Sequence, residues 1–351
     1  MHCTFWRLLG DSWVTVSLEA MRARLRILEG RRVDFERRAA TSGGSLPRSD
    51  WWRFEYVSNP YLLGCPDDRL ALRFHDVMTN QTELGREGLI GLLPVDDGNE
   101  FMRKFTHLLE EYGVRGGLPV WKSIPRPEVD YFADGGPIAT RIFAGYVEPD
   151  APFLVKYGNR QFLEPMLRRG SIRICPASYY NDAAHNAAVR DDEITRVFCI
   201  PTWRERLDGR THTDVRGHRM EYGDDDVVLP LVVPDYYLYS LCDHIYYRMP
   251  TDFGADAAIL IRDPVRFTQR VISAFLARFP EWEPMEGPVT YYDPYLDYTK
   301  FRIPEMAKHF GYAYQREVRI CFRPKRRPTR PMEPVFLDIG SMEDYADLLW
   351  A

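Results

Sequence analysis

Residues 311–324 read GYAYQREVRICFRP. Aromatic and β-branched residues dominate, which predicts a strand over Tyr314 to Phe322. Glu317 stands inside it as a lone acid, with Gln315 and Arg319 two residues to either side. Successive side chains of a strand alternate faces, so Gln315, Glu317 and Arg319 are expected on one face and Arg316, Val318 and Ile320 on the other. A buried or half-buried carboxylate with a polar neighbour two residues before it is the arrangement that sugar-transfer chemistry uses. A same-face Glu317 and Arg319 pair that only satisfies a polar patch is the plainer reading of the same residues.

Upstream of this stretch the pattern is one of short strands with few helices. Phe153 to Tyr157 (FLVKY) predicts a strand, and Arg160 to Arg169 a helix with Phe162, Leu163, Met166 and Leu167 inward. Gly170 suits its C-cap and Ser171 to Cys175 a second strand. Further strands are expected at Val227 to Val233, Tyr236 to Cys242, Ala257 to Arg262 and Val289 to Tyr292, with a helix over Val265 to Phe279. Asn181 and Asp182, in PASYYND, read as turn formers whose side chains bond their own backbone. The fold class that follows is α+β with a mixed, mostly antiparallel sheet, and no glycine-rich phosphate loop is present.

The amino-terminal half differs in texture. Leu18, Met21, Leu25 and Leu28 recur at three- and four-residue steps with five arginines between Arg22 and Arg32, an amphipathic helix with a basic face. Ala39 to Asp50 reads as a loop, and Asn99 to Tyr112 as a helix stopped by Gly113. Pro, Gly and Asp crowd Pro119 to Pro152, which places a boundary near residue 150. Residues 1–150 are then a smaller helical or α+β accessory region, and 151–351 a second domain carrying the basic, proline-rich KRRPTRP (Lys325 to Pro331). That basic segment suits a surface linker or a nucleic-acid contact.

Bulk composition narrows the class. A chain of 351 residues, 45% hydrophobic, has room for two cores, and its net charge of -5 excludes a wholly basic nucleic-acid binder. Cys3, Cys65, Cys175, Cys199, Cys242 and Cys321 are scattered without a CxxC, so reduced buried thiols and a cytoplasmic location are expected. No apolar run approaches the ~20 residues that span a bilayer, and Arg7, Asp11 and Ser12 interrupt the apolar start. No membrane association and no export signal are expected.

The order of these segments carries a resemblance. A KY start at Lys156 and Tyr157, a helix closed by Gly170, PASYYND, YSLC, Met249 ahead of DFGADAAILIRDP, VTYYD and finally YQREVR together resemble a widespread bacterial domain family. The likeness covers Phe153 to Arg323, about half the chain. That family in turn resembles the ADP-ribosyltransferase fold, whose NAD site draws an Arg or His from a first strand, a Ser or Tyr from a middle strand, and a Glu from a late strand, often with Glu or Gln two residues before it. The resemblance implies Glu317 as the catalytic carboxylate and Gln315 as its partner. It puts Tyr239 or Ser240 on the middle strand, and Lys156 or Tyr157 where the pattern has Arg or His. It implies NAD as the substrate, with Tyr157, Tyr179 or Tyr180 stacking on its rings, Asn181 beside them, and Lys156 or Arg319 at the pyrophosphate. No metal is implied.

A toxin or phage-defence transferase acting on a macromolecular acceptor, protein or nucleic acid, and controlled by an antitoxin or regulatory partner, is the function this implies. The alternative is a non-catalytic nucleic-acid or protein binding module of the same fold. A third reading is a magnesium nuclease built on Glu317, Asp293 and Asp297. His212, Asp214 and His218 (HTDVRGH) sit in a polar, arginine-rich loop and make a weak metal set.

Overall fold

The computed structural model of the chain describes residues 16–93, 100–118, 136–182, 184–185, 188–213, 219–221, 226–298 and 303–351. Four main helices occupy the amino-terminal part: α1 (Leu18–Thr41), α2 (Arg48–Ser58), α3 (Asp67–Gln81) and, after the hairpin β1 (Thr82–Leu84) and β2 (Ile90–Leu92), α4 (Glu100–Val114). Ser17 caps α1, its hydroxyl accepting from the Ala20 amide at 3.2 Å, and Met21, Leu28 and Phe35 form its buried stripe. The aromatic runs around Trp51 and Phe74 are therefore helical. Gly113, expected as a stop, lies one residue inside the end of α4.

The short α5 (Ile138–Ile142) precedes β3 (Leu154–Gly158), α6 (Arg160–Arg169) and β4 (Ser171–Pro176). There follow β5 (Thr195–Ile200), α7 (Trp203–Leu207), β6 (Thr211–Thr213), β7 (Arg219–Glu221), β8 (Val227–Val232) and β9 (Tyr237–Cys242). The chain ends with α8 (Met249–Phe253), β10 (Ala257–Ile261), α9 (Pro264–Arg278), β11 (Trp282–Pro288), β12 (Thr290–Tyr292), β13 (Ala307–His309), β14 (Glu317–Pro324), β15 (Val335–Asp338) and β16 (Ala346–Trp350).

The expected α+β class holds. The main sheet runs β11-β14-β9-β3-β10-β16, antiparallel at every pairing. Its even-numbered positions on β14, Val318, Ile320 and Phe322, pack with Tyr237, Tyr239 and Leu241 of β9 in a core that also takes Phe267 and Phe275 of α9 and Met166 of α6. The odd-numbered positions of β14, beginning with Glu317, turn to the reverse face. On α6, Leu163 and Met166 are buried as expected, but Phe162 is 66% exposed, on the side of the helix turned from the sheet.

Strand β9 has an unusual flank. On one side β14 pairs along its whole length, from Glu317 opposite Cys242 to Phe322 opposite Tyr237. On the other side two strands share it: β3 meets it at Val155 and Cys242, and β4 at Cys175 and Leu238. Between these contacts β3 and β4 peel apart, and the sheet is split open opposite Ser240.

One apolar core links the amino-terminal helices to the rest. Met21, Leu28, Tyr56, Leu62, Leu70 and Leu108 pack with Cys199, Trp203, Tyr295 and Phe310, which lie beyond residue 150. Polar bonds reinforce it. Asn80 of α3 accepts from the Tyr314 amide at 2.6 Å and donates to the Phe310 and Gly311 carbonyls at 3.1 Å each, pinning the turn that leads into β14. Cys65, Cys175, Cys199, Cys242 and Cys321 are free and buried, while Cys3 lies outside the described residues. Among the described residues no helix is long and apolar enough to cross a membrane.

Gly170 caps α6 in the left-handed conformation at φ 72°, and a Cβ there would lie 2.3 Å from the Gly340 carbonyl oxygen. Strain and collision act together, so Gly170→Ala is expected to cost about 2 kcal/mol or more, from ~1–2 kcal/mol for the left-handed backbone plus the displacement of 339–340. Urea unfolding measures it; an unchanged midpoint would show that the 340 segment yields freely.

Candidate functional site

The split in the sheet is a cleft lined by Lys156, Tyr157, Tyr180, Ser240, Gln315 and Glu317, with Glu193 and Lys308 alongside. Its cavity volume is about 190 Å³, below the ~300–1,000 Å³ of sites that enclose a whole small molecule, so it admits one part of a ligand. Six of the nine residues expected at the NAD site therefore meet here. They come from strands far apart in sequence, 84 residues between Lys156 and Ser240 and 77 between Ser240 and Glu317.

The remaining three do not line it. Tyr239 alternates with Ser240 on β9, so its ring turns into the opposite core against Phe267, its hydroxyl 3.3 Å from Met166 Sδ. Of the two middle-strand candidates, Ser240 is the one that faces the cleft. Arg319 is fully buried behind Glu317. Its guanidinium is consumed by Glu317, Glu193 and the Glu305 carbonyl, at 2.6, 2.5 and 2.9 Å, so it does not reach a ligand's phosphates. Asn181 ends the 3₁₀ turn Ala177–Asn181, as a turn former should, and is not part of the lining.

Gln315 reaches the cleft by a different route from the one expected. The strand begins only at Glu317, because Phe310–Gln315 is a 3₁₀ turn and Arg316 takes the left-handed conformation at φ 45°. A non-glycine residue there is uncommon. Arg316 is held by Asp243, whose carboxylate accepts from its Nε and Nη2 at 2.7 and 3.2 Å. Both ends of the Gln315 amide are occupied: Oε1 accepts from Lys308 Nζ at 3.0 Å, and Nε2 donates to the Ala188 carbonyl at 3.0 Å. Gln315 thus fixes Lys308 and the 188 segment against the cleft.

Glu317 is the electrostatic centre. Oε1 accepts from Ser240 Oγ and Arg319 Nε, both at 2.6 Å; Oε2 accepts from Lys308 Nζ at 3.2 Å and Arg319 Nη2 at 3.3 Å. Burial pushes the carboxyl up, but Arg319 and Lys308 more than reverse this and hold it well below the ordinary range, so it is ionised at neutral pH. Four donors match the roughly four lone-pair sites of a carboxylate. A ligand hydroxyl binds Glu317 by displacing one of them, and the longer contacts on Oε2 are the ones to yield.

The opposite wall is Lys156. Its ammonium donates to the Ser240 carbonyl at 2.8 Å, in the gap between β3 and β4, and stands 4.5 Å over the Tyr239 ring. Burial lowers its pKa, with Cys242, Cys175 and Glu317 opposing. Tyr157 is in the lining, but its ring packs on Phe253 and Phe143; its hydroxyl donates to the His244 carbonyl at 3.2 Å and accepts from the Tyr246 amide at 3.1 Å.

Two charged residues in the lining carry no sequence signature. Lys308 sits in a three-residue strand, 5% exposed, with Glu317, Glu193 and Asp191 within 3.2, 3.7 and 3.8 Å. Glu193 completes the network through Arg319 and Arg196. Burial, then the neighbouring Glu193, push the Asp191 carboxyl up to about 7 against the pull of Lys308.

Asp293 lies elsewhere, bound to Arg73 under the amino-terminal helices, so Glu317, Asp293 and Asp297 form no common metal site. Among the described residues no three His, Cys, Asp or Glu side chains are grouped to hold a metal, and Asp214 and His218 fall outside those residues. No family model, curated protein or solved structure matches the chain.

Proposed function

We propose that the chain is an ADP-ribosyltransferase that uses NAD as substrate and Glu317 as its catalytic carboxylate, with a macromolecule as acceptor. The observation that carries this reading is the convergence of Lys156, Ser240 and Glu317 on one cleft from three separated strands. Polar groups 77 and 84 residues apart in sequence line one cavity, the placement that a ligand site requires.

The reaction breaks the bond between the ribose anomeric carbon and the nicotinamide nitrogen, whose electron pair leaves with neutral nicotinamide. Positive charge develops on the ribose ring, as in glycoside cleavage. Glu317, ionised and oriented by Ser240, faces that charge and accepts from a ribose hydroxyl in place of a contact on Oε2. The positive charge that the nicotinamide ring carries in NAD passes to the ribose as the bond breaks, and Glu317 stabilises it there more than in the ground state, which is the condition for catalysis. An acceptor heteroatom then bonds to the anomeric carbon and gives up its proton. Lys156 supplies a cation toward the pyrophosphate, and the Tyr180 ring flanks a flat base.

Incubation with labelled NAD and cell lysate tests the proposal: label should enter protein or nucleic acid, and no label with any acceptor fraction would sink it. Ser240→Ala should lower turnover about tenfold, because Glu317 loses the hydrogen bond that orients it, and should also lower the melting temperature, since a hydrogen bond to a charged group contributes ~1.5–3 kcal/mol to stability. Turnover equal to wild type would remove Ser240 from the mechanism.

A further inference from the structure

A cavity of about 190 Å³ takes one end of a dinucleotide, and the other end must lie outside it. Toward β13 the lining cation Lys308 is already shared among Glu317, Glu193 and Asp191. Toward α8 the wall is aromatic, with Tyr157 packed on Phe253. Along β4 it differs from both. Residues paired across a ladder point to one side. Cys175 of β4 pairs with Leu238 of β9, which lines the cleft, and Phe336 of β15 pairs with Arg173 of β4. Side chains two apart on a strand share a face, so Cys175, Arg173 and Phe336 continue the cleft face outward as a shelf. Ile172, Ile174, Val335 and Leu337, on the reverse face, are buried in the α9 core.

Contacts join this shelf to the cleft. The Cys175 thiol interacts with Lys156 and Tyr180, both in the lining, and with Arg173 on the shelf. Arg173 is exposed, and its guanidinium stands 4.6 Å over the Tyr179 ring, which meets Tyr180 edge-on at 5.6 Å. Phe336, its partner across the ladder, is 68% exposed. Among the described residues no ion pair joins Arg173 to a carboxylate; the acid of the shelf, Asp338, lies opposite Ser171 and accepts from its Oγ at 2.6 Å. The order outward from the cleft is therefore Lys156, Cys175, Arg173 and then the Phe336 ring: two cations, then an exposed π surface.

We infer that this shelf is the subsite for the adenosine half of NAD, with the adenine stacked on Phe336, the pyrophosphate between Lys156 and Arg173, and the nicotinamide ribose in the cleft. A guanidinium forks onto phosphate oxygens and an exposed ring stacks a flat base, so the shelf offers each part of the dinucleotide its partner in the order in which they are joined. Phe336 lies beyond the Phe153 to Arg323 stretch that carries the family resemblance, and nothing in that pattern points to it. The choice of NAD rests on the proposed transferase reading. Binding of an adenine nucleotide to the shelf does not, and the two fail separately.

Calorimetric titration of ADP-ribose, and separately of nicotinamide mononucleotide, into the full chain is the test, beside the kinetics of nicotinamide release from NAD. Phe336→Ala should weaken ADP-ribose binding about tenfold, the effect of one lost base–aromatic stack. Arg173→Ala should weaken it about tenfold, the effect of one lost hydrogen bond to a charged group, and should also reduce its salt dependence. Both variants should bind nicotinamide mononucleotide as wild type does. Both should raise KM for NAD about tenfold with kcat unchanged, the mark of lost binding that is equal in ground and transition states. The two side chains are exposed, so melting temperatures without ligand should stay at the wild-type value. No binding of ADP-ribose by the wild type overturns the inference, as does wild-type affinity for it in either variant, or an equal loss of affinity for both ligands. Nicotinamide release with an unchanged KM in both variants overturns the subsite and leaves the transferase standing. Loss of ADP-ribose binding in the variants, with no nicotinamide release by the wild type, upholds the subsite and sinks only the transferase reading.

Discussion

Glu317→Gln is expected to lower ADP-ribose transfer by about 10²–10³-fold, the usual loss when a preorganised electrostatic group is removed from a transition state. The substitution keeps the shape of the side chain and one acceptor for Ser240 or Arg319, and it removes the negative charge that faces the ribosyl cation. NAD affinity should change much less, because the positive charge moves from the nicotinamide ring onto the ribose that Glu317 faces only as the bond breaks. Single-turnover release of nicotinamide measures the chemical step, and NAD-induced thermal stabilisation measures binding. Full-rate turnover by the variant would end the assignment.

The variant also separates chemistry from structure. Glu317 neutralises Arg319 and Lys308 inside the protein, and removing one partner of a buried pair typically costs ~3–5 kcal/mol. Some loss of melting temperature is therefore expected beside the loss of rate. A purely structural Glu317 would lose stability and NAD binding together; a catalytic one loses rate while the folded fraction still binds NAD. Arg319→Met serves as the complement. It strips the same network from behind, does not line the cleft, and should lower stability while the folded fraction retains substantial turnover.

How far the sequence discloses this arrangement depends on whether a residue's partner lies near it in the chain. The alternation of Val318, Ile320 and Phe322 marks the packed face of β14 because it needs only neighbouring residues, and Gly170 marks the end of α6 for the same reason. Ser240 and Glu317 are legible as a pair only through the order of segments. Lys308 is not legible at all, since a lysine in AKH looks the same whether it is solvated or buried among three carboxylates. Helix α3 is hidden by the same cause. Its buried Arg73 and Asn80 interrupt the apolar stripe, and their partners, Asp293 and the carbonyl of Phe310, stand 220 and 230 residues away. The turn before β14 escapes periodicity because it depends on Arg316 adopting φ 45°, which only its contact with Asp243 explains.

Asp293→Ala is expected to destabilise the protein by about 3–5 kcal/mol, the cost of stranding one partner of a buried ion pair. Arg73 donates to both carboxylate oxygens of Asp293, at 3.0 and 2.6 Å, and to the Tyr61 hydroxyl at 3.1 Å, with the carboxylate only 1% exposed. Burial pushes the Asp293 carboxyl up, but Arg73 and Lys104 outweigh it and hold the group well below its ordinary value. The sign of the pH dependence follows: the pair's stabilisation is present above the unfolded carboxylate range near ~4 and is lost as pH falls below it. Wild type should therefore lose urea stability on acidification below about pH 4, and Asp293→Asn should show a shallower loss over that window. The double replacement Arg73→Met with Asp293→Leu should recover most of the deficit of Asp293→Ala, since an apolar pair carries no stranded charge. The effect should extend to the cleft. Helix α3 also carries Asn80, which fixes Tyr314 and the turn into Glu317, so weakening its seat should reduce NAD-induced stabilisation in Asp293→Ala. Urea midpoints for the variants, with and without NAD, decide both points: a wild-type midpoint for Asp293→Ala would show that the amino-terminal helices are seated by their apolar core alone.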